Sequence, residues 1–598
     1  QMPLAPNGKL DRKALPAPER SLQVESEYVA PRTEAEQMLA TVWQAVLGIE
    51  RVGITDHFFE LGGDSIKSIQ VAARMQQAGF KLEIRDLFKY PTVTQLVPYM
   101  QPINRTADQG EVVGEVPMTP ILHWFEHQQF ANPHHFNQSV MLYRKDGFVA
   151  DAVRKALHKL VEHHDALRIV IQRTEQGEFS LWNRSLVEGE LFSMEEIDLT
   201  DQSDFAAAIE AEANHIQGSI DLQAGPLVKA GLFHGSDGDH LLLVIHHAVI
   251  DGVSWRILLE DLASGYEQAL NQRQVRLPMK TDSFRTWAEQ LVEYANSPAM
   301  DKESAYWLGV AQTEVAALPK DSECTVSLQR DSESVVLEWN REDTERLLKH
   351  VHRAYNTEMD DILLTALGRA LMKWRGIERI LVTLEGHGRE SIIQGMDITR
   401  TVGWFTTEYP FELGMEANDS LGSQIKKVKE DLRRIPNKGI GYGLFRYLSN
   451  SGQQAWKDAP TTQIRYNYLG QFDADLSNNE LSVSPYASGS EISDEQERKY
   501  PLDINGVIAE GQLTLGLSYS VKEYRKETME ELGDLLTESL KEIIAHCEAQ
   551  ERTQLTPSDV LFKGLSLEWL DRISSQMQHI GEIENVYALT PMQKGMWF

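Results

Sequence analysis

The sequence predicts a protein of several domains: a small helical bundle, then a much larger α/β region that divides into two lobes. Three observations carry this. A chain of 598 residues exceeds the length of about 250–300 residues at which single hydrophobic cores stop growing. Near its beginning, Met38, Leu39, Val42, Trp43, Val46 and Leu47 fall at helical spacing, as a helix packed into a small bundle requires. Further on, a helical face of Val153, Ala156, Leu157, Leu160 and Val161 and a strand-like run from Leu241 to Ile245 belong to one long region of mixed signals, which reads as α/β.

Composition narrows the function classes. Hydrophobic residues make up 42% and charged residues 25% of the chain, ordinary values for a globular protein. The run Leu241 to Ile245 is far too short to span a bilayer. A net charge of −31 argues against nucleic-acid binding, which needs a basic face. Cys324 and Cys547 stand far apart with neither Cys-x-x-Cys nor zinc spacing, and no signal peptide precedes them, so a cytoplasmic protein without a metal is expected.

The first helix opens after Thr33, with Glu36 at capping-box spacing. The next begins at Leu61-Gly62-Gly63-Asp64-Ser65-Ile66-Lys67-Ser68. Two glycines let the backbone turn, and Ile66, Ile69 and Ala73 then follow at helical spacing. Ser65 is therefore expected at a helix N-terminus, where free amides and the dipole stabilise a phosphodiester; Asp64-Ser65 could equally be a simple N-cap. These residues resemble the carrier domains of nonribosomal peptide synthetases. The resemblance implies a four-helix bundle over 33–100, with 4′-phosphopantetheine attached to Ser65 by a phosphopantetheinyl transferase.

Flanking segments fit the same family. Pro3-Leu4-Ala5-Pro6-Asn7-Gly8-Lys9-Leu10 resembles the last motif of adenylation domains, in which the lysine at the position of Lys9 contacts the acyl-adenylate. That assigns 1–18 to the end of an upstream adenylation domain and 19–32 to a linker. Residues 101–116 are polar, with Pro102, Gly110 and Gly114, and read as a second, flexible linker. After 553–585, a third linker, Leu589-Thr590-Pro591-Met592-Gln593 resembles the start of a following condensation domain, assigned to 586–598.

Within 117–552 the run Leu241 to Ile245 leads into His246-His247-Ala248-Val249-Ile250-Asp251-Gly252. Imidazole exchanges protons near neutral pH, and a carboxylate beside it can pair with a cation. The pairs His134-His135 and His163-His164 show that adjacent histidines alone prove little, and packing is the better reading of the second. The His246-His247 signature resembles the condensation superfamily, which implies a two-lobed fold like chloramphenicol acetyltransferase, here with the lobes divided near 285–300. Pro120-Ile121-Leu122-His123-Trp124-Phe125, Glu385-Gly386-His387-Gly388-Arg389-Glu390, Arg400-Thr401-Val402-Gly403-Trp404-Phe405-Thr406 and Tyr466-Asn467-Tyr468-Leu469-Gly470-Gln471 resemble motifs of its epimerisation domains. Only Leu122-His123 departs, where Ile-Gln is usual. Asp64 before Ser65 is also the form typical of carriers that serve epimerases.

The resemblance implies inversion of Cα in an aminoacyl or peptidyl thioester during nonribosomal peptide synthesis. Such a Cα–H is weakly acidic, so its removal needs a base and stabilisation of the enolate oxygen. Glu385 is expected as one acid/base group, and His247 as the other or as an electrostatic stabiliser. His246 supports them; Asp251 pairs with Arg389 across the lobes; Asn467 and Tyr468 bind the enolate oxygen or relay a proton. His387 is expected to shape the site, and Trp404 and Phe405 to line it. Two alternatives stay open: a condensation domain forming a peptide bond, and a silent recruitment platform.

Overall fold

The computed structural model describes residues 28–103, 107–313, 315, 317–449, 452, 461–471, 482–577, 579, 581 and 583–597. Lys9 and the rest of 1–18 lie outside the described residues. The chain forms two compact units, Gln1–Asn104 and Arg105–Phe598.

In the first unit, helix α1 (Glu34–Leu47) carries the reciprocal cap read from Thr33 and Glu36: Thr33 Oγ1 accepts from the Glu36 amide at 3.1 Å, and the Glu36 carboxylate accepts from the Thr33 amide at 3.1 Å. Helices α2 (Ser65–Gln77), α3 (Ile84–Lys89) and α4 (Val93–Leu96) complete the bundle. Trp43, Phe58, Val71, Met75, Leu87 and Leu96 fill its core, each large side chain contributing roughly 1.5–3 kcal/mol by leaving water. Both ends of the polar 101–116 stretch are tied into sheets. Gln101–Pro102 pairs with Phe80–Lys81, and Gly114–Val116 with Phe179–Asn183. Pairings of two or three residues are too short to leave a periodic trace in sequence.

The first lobe of the second unit carries helix α5 (Pro120–His127) and strands β1 (Asn137–Arg144), β2 (Ser193–Asp198), β3 (Val228–Gly235) and β4 (Gly238–His246), side by side as β1-β4-β3-β2. Leu241 to Ile245 are buried because β4 lies between two strands with helix Phe205–Gln217 against it; helices α6 (Ala150–His163) and α7 (Gly252–Leu270) pack on each other in the same lobe. Ser482–Val483, from far down the chain, pairs with the outer edge of β1.

The second lobe is a six-stranded sheet of β5 (Ser332–Glu338), β6 (Arg379–Gly386), β7 (Thr407–Gly414), β8 (Ile464–Gln471), β9 (Leu502–Ala509) and β10 (Gln512–Ser520), ordered β5-β10-β9-β8-β6-β7. Helices α8 (Met359–Arg375), α9 (Leu421–Arg433) and α10 (Lys526–Glu548) accompany it. The divide expected near 285–300 falls on two helices, Phe284–Ala295 and Pro298–Ala311. The stretch 553–585 contains helix α11 (Leu567–Met577) and is anchored: Val560 and Leu570 are buried, Lys429 Nζ lies 2.7 Å from Asp559 and Lys426 Nζ 2.6 Å from Asp571. Among the described residues no helix is long and apolar enough to cross a membrane.

Candidate active site

The residues to which the sequence assigns chemistry fall at two positions, in different units. In the first, Asp64 is the N-cap of α2, accepting from Lys67 N at 2.7 Å, which makes Ser65 the first helical residue. Gly62 takes φ 90°, and a Cβ on Gly63 would lie 2.3 Å from the Phe58 ring, so neither glycine is replaceable without movement. Ser65 is half-buried, and among the described residues its hydroxyl has no hydrogen-bond partner. A reachable hydroxyl beside unsatisfied first-turn amides fits attachment of a phosphodiester.

In the second unit, β4 delivers His246 and His247 to its C-terminal end, and Asp251 caps α7 immediately after. His246 is fully buried: Nδ1 accepts from the Ala248 amide at 3.1 Å, and Nε2–H donates to the Pro133 carbonyl at 2.9 Å. Burial pushes its imidazole down to about 3, so it is a neutral structural support. His247 is held differently. Trp255 Nε1, which can only donate, reaches Gln138 Oε1 at 3.0 Å; the amide nitrogen of Gln138 is therefore the group 3.1 Å from His247 Nε2. That nitrogen donates, Nε2 accepts, and Nδ1–H donates to the Ile250 carbonyl at 2.8 Å. The ring stacks on Phe136 at 5.3 Å and contacts Trp404 at 4.3 Å. Burial again pushes the imidazole below its ordinary value.

Glu385 comes from β6 in the other lobe. Asn467 Nδ2, one strand away on β8, donates to its Oε2 at 2.7 Å, while Arg465 Nη1 stands 3.6 Å from Oε1. Burial pushes the Glu385 carboxyl up, Arg465 opposes this and Asp503 adds to it. Arg465 Nε donates to Asp503 at 2.5 Å. Glu408, directly opposite Glu385 on β7, is pushed up to about 8 by burial and by Glu385 itself. Strand alternation carries Tyr468 to the face of Tyr466, whose hydroxyl donates to Asp360 at 3.0 Å, away from Asn467. Among the described residues no hydrogen bond joins His247 to Glu385; their common neighbour is Arg465, whose charge also disfavours a proton on His247.

The lobes are clasped beside this site. Asp251 Oδ2 accepts from the Phe405 amide at 2.9 Å, and its Oδ1 lies 3.5 Å from Arg389 Nη2. Arg389 also donates to Ser254 Oγ at 2.9 Å and to the carbonyls of Ile398 and Thr401 at 2.8 Å, and its guanidinium sits 3.9 Å from the centre of the Phe405 ring. Gly388 takes φ 66°, and a Cβ there would fall 1.6 Å from the Phe405 carbonyl oxygen. His387 accepts from the Arg389 amide at 3.0 Å and faces Glu390 at 3.2 Å. Of the other pairs, His164 is engaged with Asp261 at 2.9 Å, and His134 accepts from the Leu222 amide at 3.0 Å.

Residues 112–563 match the Condensation domain family, and residues 37–100 the Phosphopantetheine attachment site family. The chain belongs to the condensation-domain family. This condensation-family chain carries a carrier domain for covalently bound 4′-phosphopantetheine ahead of its two-lobed α/β domain. It is 53% identical over 598 residues to a mycosubtilin synthase polypeptide of Bacillus subtilis, covering 100% of this chain and 23% of that one. It is 48% identical over 585 residues to gramicidin S synthase 1 of Brevibacillus brevis, covering 96% of this chain and 53% of the other. The chain thus spans 23% and 53% of the lengths of these two curated relatives. The solved epimerization domain from the third module of tyrocidine synthetase B superposes with a TM-score of 0.72 at 45% identity, covering 75% of this chain and 100% of that domain. The first condensation domain of the CDA synthetase superposes with 0.52 at 18% identity over 75% of this chain and 98% of its own, a likeness of fold alone.

Gln138, Arg465, Asp503 and Glu408 are site residues that the sequence reading does not single out. Arg465 and Glu408 adjoin motifs that it does, and the periodicity of β6 and β8 could have placed Arg465 on the face of Glu385. Gln138 and Asp503 are brought in by pairing between distant strands, which no local pattern announces.

Proposed function

We propose that this chain inverts the Cα configuration of an aminoacyl or peptidyl thioester tethered through 4′-phosphopantetheine to Ser65, yielding an L/D mixture during nonribosomal peptide synthesis. The observation that carries the reading is the pairing of a half-buried carboxyl, Glu385, with a half-buried imidazole, His247, from opposite lobes around Arg465. The 45% identity to an epimerization domain supports it.

The chemistry follows from what burial does to both groups, since each is pushed toward its uncharged form. When neutral His247 takes the Cα proton through Nε2, the C–H electron pair moves into the thioester as an enolate, and protonated Glu385 returns a proton to the other face. The products, imidazolium and carboxylate, are the pair needed to act on the opposite enantiomer. Gln138 must release Nε2 for this step. Asn467 orients Glu385. The attached arm supplies a thiol that holds the acyl group as a thioester and acidifies its Cα–H. Asp251 and Arg389 keep the lobes in register, Tyr468 supports β8 from its other face, and Lys9 belongs to the end of an adenylation domain. A phosphopantetheinyl transferase loads Ser65, and adjoining adenylation and condensation domains supply and accept the acyl group in a reducing cytoplasm.

The test is to load Ser65 with L-aminoacyl and L-peptidyl phosphopantetheine and follow deuterium entry at Cα and chirality in heavy water. Glu385→Gln and His247→Ala should each lower exchange by about 10²–10⁴-fold. Amide formation with a second loaded carrier, without Cα exchange, would instead assign condensation.

A further inference from the structure

Each inversion leaves the acid/base pair changed: His247 holds the proton taken from Cα, and Glu385 has given its own away. Acting again on an L-substrate requires Glu385 to regain a proton. The groups that face its carboxylate do not supply one. Asn467 Nδ2 at 2.7 Å and Arg465 Nη1 at 3.6 Å belong to an amide and a guanidinium, which donate hydrogen bonds but do not release protons near neutral pH. Asp503 is bound to Arg465 at 2.5 Å. The Glu385 side chain is 17% exposed, an opening that a thioester seated against it closes.

Glu408 is differently placed. Strands β6 and β7 are antiparallel and set Glu385 opposite Glu408, so the two side chains share a face with their Cβ atoms about 4.5–5.5 Å apart. Beyond Glu408 the hydrogen bonds continue outward. The Tyr500 hydroxyl donates to Glu408 Oε2 at 3.4 Å, the Thr383 hydroxyl bonds to Tyr500, and the Thr383 and Thr462 hydroxyls meet at 2.6 Å. With Tyr500 donating to Glu408 and Thr383 to Tyr500, Thr462 is left as the donor to Thr383, so every proton in the row points toward Glu408. These four residues line a cavity of about 250 Å³ whose wall includes the exposed Thr461 and Lys499, so the row begins at solvent. Burial and Glu385 push the Glu408 carboxyl up to about 8, with Asp503 adding to this and Arg465 and Tyr500 opposing it. From the stretch 440–448, Tyr442 and Tyr447 also feel its charge, while Arg446 meets the Tyr442 hydroxyl at 2.5 Å and Lys499 donates to the Gln128 carbonyl at 3.0 Å. Near neutral pH Glu408 therefore carries a proton that it can give and regain.

We propose that Glu408 relays protons between Glu385 and the solvent reached through this cavity, resetting the site after each inversion; this rests on the epimerisation reading above. Glu408 passes its carboxyl proton to the Glu385 carboxylate and takes one from Tyr500, which is restored along Thr383 and Thr462 from water. The imidazolium of His247 gives the proton taken from Cα to solvent, so a full cycle neither gains nor loses a proton. Glu408 does not touch the substrate and acts through Glu385.

The experiment follows the two enantiomers separately. By this route the Cα hydrogen of the D-form comes from Glu385 and that of the L-form from His247, so deuterium in the D-form reports exchange at Glu385. The full chain, loaded at Ser65 with L-alanyl or N-acetylglycyl-L-alanyl phosphopantetheine, is brought to its L/D mixture in ordinary water and diluted rapidly into heavy water. The rate of deuterium entry into each form is divided by the rate of inversion measured from chirality. In the wild type the D-form is expected to label as fast as it inverts. Glu408→Gln, which keeps the shape and the acceptor for Tyr500, should lower the D-form ratio by about tenfold or more and leave the L-form ratio where it was. Tyr500→Phe should lower the D-form ratio in the same sense by a smaller factor. A structural role would slow inversion and labelling together and move neither ratio. D-form ratios equal to wild type in both variants would overturn the relay alone. A wild type that shows neither inversion nor deuterium entry with either substrate would overturn the epimerisation reading, and the relay with it.

Discussion

His247 and Glu385 stand at the ends of strands in two different lobes, and their surroundings differ in kind. Around His247 lie the Phe136 and Trp404 rings, one amide and one carbonyl, all uncharged. Around Glu385 lie Arg465, Asp503 and Glu408, a cluster whose charges oppose one another. The imidazole is tuned chiefly by desolvation and a fixed hydrogen-bond frame, the carboxyl by desolvation and a charge balance. Desolvation is built into the packing and resists single substitutions, whereas a charge balance can be tipped by one.

The comparison holds only while the lobes stay in register, so the largest effect is expected from breaking the clasp. Asp251→Ala removes the cap of α7, the acceptor for the Phe405 amide and the carboxylate beside buried Arg389. Stability should fall by about 3–5 kcal/mol, read as a lowered midpoint in chemical denaturation, with activity lost in parallel; full activity loss at unchanged stability would instead place Asp251 in the chemistry.

Next comes the charge half. Cα exchange should show a bell-shaped pH profile whose two limbs belong to the His247–Glu385 pair jointly. Arg465 disfavours a proton on both members. In Arg465→Gln both groups therefore hold protons to higher pH, and the whole bell should move up by about 1–3 pH units. A shift of one limb alone would mean that Arg465 serves only Glu385.

The smallest effect is expected from the uncharged half. Gln138→Leu removes the donor to His247 Nε2, a hydrogen bond that favours the neutral ring. The imidazole should become slightly more basic, moving one limb upward by about 1 pH unit or less. Motion of both limbs would show that the two halves are not as separate as their surroundings suggest.

How much of this can be read from residues alone follows the same division. Local signals are reliable: the Thr33–Glu36 cap, Ser65 at a helix start and the Leu241 to Ile245 strand all describe neighbours in sequence. Residues are legible wherever chemistry and a local motif coincide. The Asp251–Arg389 contact at 3.5 Å joins two such motifs. What escapes is register. Glu408 becomes important because β7 places it opposite Glu385, and Asn467 shares a face with Arg465 while Tyr468 turns away. Those facts are set by which strands pair, and pairing over such separations depends on the whole sheet.

The segment after residue 552 bears on how such proteins are cut and recombined. Lys429 is almost fully enclosed, with its ammonium on the Asp559 carboxylate, while Lys426 meets Asp571 and Leu570 is covered completely. An excision that stopped at the end of α10 would strand a buried ammonium and uncover an apolar seam. A graft meant to move this two-lobed domain into another polypeptide should take its junction beyond Met577, even though most side chains between 552 and that point look like tether.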